Sequence, residues 1–223
     1  MITVYYAKVF PFLEKDAFLR YLNKVEEGRR KKLQRMKDLG SRNRTLAAGC
    51  LLHDALCERL GLPMQTEGAF EIGYEKEGKP YLIKEPEVCF NLSHSGEYVS
   101  CAVADTTVGV DIQKKVPAKS KIAERFFTDA DNRKLSVCGE AEREELFFRM
   151  WSIRESFLKF TGKGLGQGMD SFEIDWRHGW ILEKGKSGPS ACFKEQTALP
   201  EYSFCVCCGK DETEVVWKEI TLA

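Results

Sequence analysis

Hydrophobic spacing along this chain switches repeatedly between the period of a strand and the period of a helix, and that order constrains the fold more than any single residue does. The opening MITVYYAKVF reads as a first strand. Residues 14–37 and 42–60 then carry helical spacing, with Leu46, Leu52, Leu56 and Leu60 in an apolar stripe ahead of a Gly61 stop. FEIGYEK, EVCFNLS, EYVSCAVA and VGVDIQ follow as strands, broken by the turn-forming EGKP, SHSG and DTT. Helical spacing returns over 119–160. From SFEIDW onward WILEK, ACFKEQ, YSFCVCC and EVVWKEI predict an antiparallel meander. Strands and helices in separate runs define the α+β class, and the DTT turn near residue 106 is where a division into two halves, 1–105 and 106–223, is expected.

A chain of 223 residues can bury one large core or two smaller ones. No apolar run approaches the eighteen or so residues that a membrane span requires, and the first residues lack the pattern of a secretory signal, so a cytoplasmic protein is expected. The nine cysteines are odd in number and scattered, which favours reduced thiols. Cys205, Cys207 and Cys208 lack the paired spacing of a zinc site. Net charge is zero, yet Arg29 to Arg44 holds eight Lys or Arg against one carboxylate, Asp38. Such segregation invites an anionic partner. Nucleic acid is not the expected one, because that run lacks aromatic residues for base stacking and the whole chain is not basic.

VGVDIQ poses a sharper question. With a period of two, Val108, Val110 and Ile112 share one face, while Gly109, Asp111 and Gln113 share the other. An acid on a strand is most often solvated or salt-bridged, so Asp111 alone indicates little. In WSIRESFLK, Trp151, Glu155 and Lys159 stand four apart and stack along one side of a helix, with about 6 Å of rise between neighbours. The apolar FFRMW before Glu155 predicts that this part of the helix is packed rather than solvated. The glycines of TGKGLGQG follow a helix and precede a strand, the wrong order for a phosphate loop, so Gly162 is read as a C-terminal stop.

Three further pieces suit an anion. A helix through EGRRKKLQRMKDLGSRNRT would turn Leu33 and Met36 inward and offer Arg29, Lys32 and Arg44 outward. FNLSHSGEYV places Asn91 and Ser93 opposite Phe90 and Leu92, with His94 at the turn, where hydroxyl, imidazole and backbone amides together hold phosphate well. Lys79 in EGKPYL is the third cation, set by its turn. Alone, the basic run is as readily a solvated face, and a histidine in a turn is more often a local hydrogen-bonding residue than a ligand-binding one.

Taken together and in order, RNRT, GKPYL, FNLSHSGEYVSCAVA, GVDIQ and WSIRESFLKFTGKG resemble the larger, pseudodimeric 4'-phosphopantetheinyl transferases, the surfactin-synthetase-activating type, over roughly residues 26–175. The most diagnostic motifs are the G-[IV]-D-[IV]-E strand and the W-x-x-[KR]-E-[AS]-x-x-K helix. The resemblance implies two similar α/β halves in a pseudo-two-fold arrangement, with a ligand cleft between them. It implies transfer of 4'-phosphopantetheine from coenzyme A to a serine of an apo acyl or peptidyl carrier protein, with release of adenosine 3',5'-bisphosphate. It further implies that Asp111 and Glu155 hold Mg²⁺, or Mn²⁺, with Gln113 on the face of Asp111 able to join them through its oxygen or through a water, and that Lys159 partners the reacting phosphate and Glu155. Arg29, Lys32, Arg44, Thr45, Lys79, Ser93 and His94 match positions that hold coenzyme A. A monomer is expected, with residues 115–145 as the carrier-docking surface.

The chemistry asked of such a site agrees: a pyrophosphate attacked by a weak hydroxyl needs its charge neutralised, its groups aligned and a proton removed. Mg²⁺ favours one or two carboxylates together with phosphate oxygens and water. Glu155 is the expected proton acceptor and Lys159 the stabiliser of charge on the phosphate. Two departures from the family pattern stand out, Arg154 where lysine is common and Gln113 where a second acid is frequent. An amide oxygen is a neutral, weaker ligand, which predicts a weaker metal site and a shifted preference between Mg²⁺ and Mn²⁺. The alternative is a non-catalytic module that binds coenzyme A or a carrier protein. Retention of Asp111, Glu155 and Lys159 argues against it, because a buried carboxylate pair is costly to keep without a use.

Overall fold

The structure is a computed structural model that describes residues 1–9, 15–63, 70–117, 120–212 and 214–222, the side chains of 15–17, 20, 120 and 165 excepted. In chain order the elements are β1 (Ile2–Lys8), α1 (Lys15–Leu22), α2 (Glu27–Arg35), α3 (Leu39–Leu60), β2 (Ile72–Tyr74), β3 (Pro80–Leu82), β4 (Cys89–Ser95) and β5 (Tyr98–Ala104). They continue as β6 (Gly109–Lys114), α4 (Ser120–Phe126), α5 (Asp129–Val137), α6 (Glu140–Thr161), β7 (Phe172–Asp175), β8 (Trp180–Glu183), β9 (Ala191–Gln196), β10 (Tyr202–Cys208) and β11 (Val215–Glu219). Among the described residues no helix is long and apolar enough to cross a membrane.

The fold is α+β, with two compact units: Met1–Asp105 together with Val215–Ala223, and Thr106–Glu214. In the first, a four-stranded sheet of order β11-β1-β5-β4 carries α3 against β5 and β4. Its core joins Leu46, Leu51, Leu52 and Leu56 of α3 to Val99, Cys101 and Val103 of β5. In the second, a five-stranded antiparallel sheet of order β6-β10-β9-β8-β7 carries α6 against β6 and β10. Phe147, Met150, Ile153 and Phe157 of α6 pack there on Phe172, Ile181, Phe193, Cys205 and Cys207.

Three expectations are corrected. EVVWKEI does not extend the antiparallel meander; its strand β11 pairs in parallel with β1, Val4 opposite Trp217, so these residues join the first unit rather than the second half expected to run to 223. Non-adjacent pairing of this kind leaves no trace in local periodicity. The helix expected over 14–37, whose first residue lies outside the described residues, is two helices, because the chain turns to bury Val25 and Glu26 adopts an extended backbone. The helix expected over 119–160, whose first residue lies outside the described residues, is three. Thr128 caps α5 by accepting from the Asp131 N–H at 3.2 Å, and Gly139 precedes α6 in extended conformation.

The helix stops fall where they were read. Gly61 and Gly162 both adopt left-handed backbone, φ 66° and 73°, and close the last turns of α3 and α6. Upstream, α3 starts earlier than residue 42 because Asp38 accepts from the Ser41 N–H at 2.6 Å.

Candidate active site

The apolar strand with its carboxylate is β6, and α6 covers the face that carries Asp111. Small residues make that approach possible. A Cβ on Gly109 would lie under 3.0 Å from the Ser156 carbonyl, the Phe160 nitrogen and the Lys159 carbonyl carbon, so only glycine lets β6 touch the helix backbone. On β10, Cys205 stands opposite Asp111 and Ser203 opposite Gln113. Both reach α6: the Ser203 and Ser152 hydroxyls lie 2.7 Å apart, and the Ser156 hydroxyl donates to the Cys205 sulfur at 3.5 Å. Ser152, Ser156 and Lys159 thus run along the two strands at helical spacing.

Asp111 is 1% exposed, yet both carboxylate oxygens are held. Lys159 Nζ donates to Oδ1 at 2.6 Å and to the Val110 carbonyl at 3.1 Å, while Gln113 Nε2 donates to Oδ2 at 2.9 Å. The strand acid therefore takes the ammonium that helix spacing had offered to Glu155. Glu155 itself is half-buried and, among the described residues, its carboxylate accepts no hydrogen bond. Burial raises its carboxyl above the usual range, and the charge of Asp111 raises it further against the opposing pull of Lys159. A carboxylate with spare lone pairs and raised basicity is suited to accept a proton or to join Asp111 on a cation. Among the described residues no group of three His, Cys, Asp or Glu side chains is placed to hold a metal, and the further candidate donor, Gln113, is an amide.

Arg154, next to Glu155, is fully buried and points away from this carboxylate pair. Its guanidinium pairs with Asp131 of α5 and donates to the Met169 carbonyl and, at 3.2 Å, to the Phe172 carbonyl. Burial pulls its pKa down and Asp131 holds it up. The residue clamps α5 and the segment before β7 onto α6, and this fixes the rotation of the helix that carries Glu155 and Lys159.

The anion candidates lie in the first unit. Arg29 on α2 bonds Glu26 at 3.0 Å and reaches the Thr45 carbonyl of α3 at 3.4 Å. Gly49 on α3 allows this, since a Cβ there would come within 2.5 Å of Val25 Cγ1 and 2.7 Å of Arg29 Cδ. The Arg44 guanidinium donates to the Ser41 hydroxyl at 3.1 Å; Thr45 is buried and Lys32 exposed. Lys79 sits in the β2–β3 turn, half-buried, and burial lowers its pKa. Ser93, buried, and His94, exposed, neighbour one another on β4. The structure thus brings Arg29 and Thr45 together, and separately Asp111, Gln113 and Lys159 with Glu155 beside them. Sequence reading missed Gly49, Ser152 and Ser203. For Ser152 the signal was a small residue one turn before Ser156, for Gly49 a glycine inside an otherwise strong helical pattern, and for Ser203 on β10 local spacing offered none.

Two family models match consecutive parts of the chain: 4'-phosphopantetheinyl transferase, N-terminal, over residues 13–106, and the 4'-phosphopantetheinyl transferase superfamily over residues 107–207. A 4'-phosphopantetheinyl transferase of Bacillus subtilis is 32% identical over 190 residues, covering 84% of each chain. The 4'-phosphopantetheinyl transferase psf-1 of Bacillus pumilus is 41% identical over 182 residues, 79% of this chain and 76% of its own. The 4'-phosphopantetheinyl transferase Sfp of Bacillus subtilis is 29% identical over 208 residues, 90% and 92%. With likeness of this extent across both units, the chain belongs to the 4'-phosphopantetheinyl transferase family.

Proposed function

We propose that the acids of β6 and α6 form the reaction centre of a 4'-phosphopantetheinyl transferase, with Glu155 as the base that takes the proton of the carrier-protein serine. The chain moves 4'-phosphopantetheine from coenzyme A to a carrier protein, as its family does. One observation carries the assignment: Glu155 is the acid beside Asp111 that keeps its lone pairs uncommitted, and its basicity is raised by burial and by Asp111. Proton removal makes the hydroxyl a competent nucleophile toward the β-phosphate. Lys159, 27% exposed and already beside Asp111, supplies positive charge where the transferred phosphoryl group gains negative charge.

The donor set fits Mg²⁺, since a buried carboxylate, a second acid with free lone pairs and an adjacent amide are hard oxygen donors. Asp111, Glu155 and the Gln113 oxygen would hold it. When bound, the ion neutralises charge on the pyrophosphate. Arg29, Lys32, Arg44, Thr45, Lys79, Ser93 and His94 are assigned to the nucleotide and phosphates of coenzyme A. A bound phosphate beside Lys79 would favour the ammonium form that burial disfavours. On this reading the protein works as a cytoplasmic monomer, in keeping with its free thiols.

The test is incubation of an apo carrier protein with coenzyme A and Mg²⁺, read as the mass gain of one phosphopantetheine. Glu155→Gln is expected to slow transfer by about a hundredfold or more. Wild-type rates in the Gln variant would remove Glu155 as the base.

A further inference from the structure

In this chain Asp111 is buried on a strand, and the side chain that holds its Oδ2 atom is an amide donor, Gln113, at 2.9 Å. The orientation follows from chemistry, because turning the amide would set its oxygen against a carboxylate oxygen. Lys159 holds Oδ1 at 2.6 Å. Asp111, Glu155 and Lys159 together carry one net negative charge. A carboxylate at 113 would double it, remove the donated hydrogen bond and set two acids of β6 on the same face. The neutral amide does the reverse, supplying a donor to a buried acid without adding charge.

We propose that Gln113 is a positioning residue that keeps Asp111 satisfied and the site intact when no cation is bound, and that the chain gives up metal affinity for this. The inference rests on the metal assignment made above and deepens it. The amide serves Asp111 through a proton that an ionised glutamate lacks. A glutamate there serves a divalent ion better, because ligand charge tunes affinity. The amide chain therefore depends less on metal for folding than a carboxylate version of itself.

The test compares wild type, Gln113→Glu and Gln113→Ala for unfolding midpoint in chelator, unfolding midpoint in Mg²⁺, and Mn²⁺ binding followed by electron paramagnetic resonance. In chelator both variants should unfold before wild type, the Glu variant first. Metal should raise the midpoint of the Glu variant more than that of wild type, and its Mn²⁺ dissociation constant should fall by roughly tenfold. Chelated midpoints at or above wild type in both variants would overturn the role of the amide while leaving the metal assignment standing. Mn²⁺ bound by none of the three proteins would overturn the metal assignment, and the proposed exchange of affinity for autonomy with it.

Discussion

The two units solve one packing problem differently. Each lays a 22-residue helix, α3 or α6, on a sheet, and each helix ends on a left-handed glycine. On α3 the buried charge is closed on itself: Asp54 takes Lys24 at 3.2 Å and the His53 ring at 3.1 Å. On α6 the charges are divided. Arg154 is spent on Asp131, Lys159 on Asp111, and Glu155 is left over. A helix whose acids are all paired is a structural member; one that leaves an acid unpaired beside another acid has that acid available for chemistry. The glycine devices differ as well. Gly109 admits helix backbone, which cannot yield, whereas Gly49 admits two side chains, Val25 and Arg29.

The largest test of this contrast is Arg154→Met. It strands Asp131, 3% exposed, without its cation, and should cost about 3–5 kcal/mol in urea unfolding. Adding Asp131→Asn should recover much of the loss. If the single variant costs no more than Lys24→Met, whose lysine is 25% exposed, the two buried networks are equivalent and the contrast fails. Next is Gly109→Ala. The added methyl meets backbone atoms of α6, so the helix must shift, at about 3 kcal/mol, and transfer activity should fall further than stability does because Asp111 moves away from Glu155. A variant of wild-type stability would mean that β6 and α6 have room to part.

Much of this site was legible in the sequence, for a physical reason. The acids sit on regular elements, so a period of two placed Asp111 on the face of Gly109 and Gln113, and a period of four aligned Glu155 with Lys159. Partner choice was not legible. Spacing along a helix cannot show that a strand acid takes the lysine at 2.6 Å, nor that Arg154, one residue from Glu155, is buried. Those outcomes depend on how closely two elements approach, which small residues at Gly109, Ser152, Ser156 and Ser203 decide. The same limit hid β11, whose parallel pairing with β1 joins chain segments far apart in sequence.

Gly49→Ala should be milder than Gly109→Ala, at about 1–2 kcal/mol, because what the methyl meets is the Val25 and Arg29 side chains rather than helix backbone. Its distinct reading is binding: displacement of Arg29 from Thr45 should weaken coenzyme A affinity, measured by calorimetry, more than it lowers stability. Equal affinity would detach Arg29 from the anion site and leave the glycine a packing residue.

The smallest effect tests how β11 is held. Glu58 at the end of α3 accepts from Lys218 at 2.5 Å and from the Tyr5 hydroxyl at 3.0 Å, and the Lys218 bond chiefly lowers its carboxyl below the ordinary 4.5. A depressed carboxyl contributes stability that is present above pH 4.5 and lost as pH falls through its folded-state value. The pair is 44% and 43% exposed, so solvent screening limits it to less than about 1 kcal/mol. Glu58→Gln should therefore lower the urea midpoint slightly at neutral pH, and the gap to wild type should close on acidification. A gap that persists in acid would show that Glu58 anchors this strand by shape and hydrogen bonding rather than by its charge.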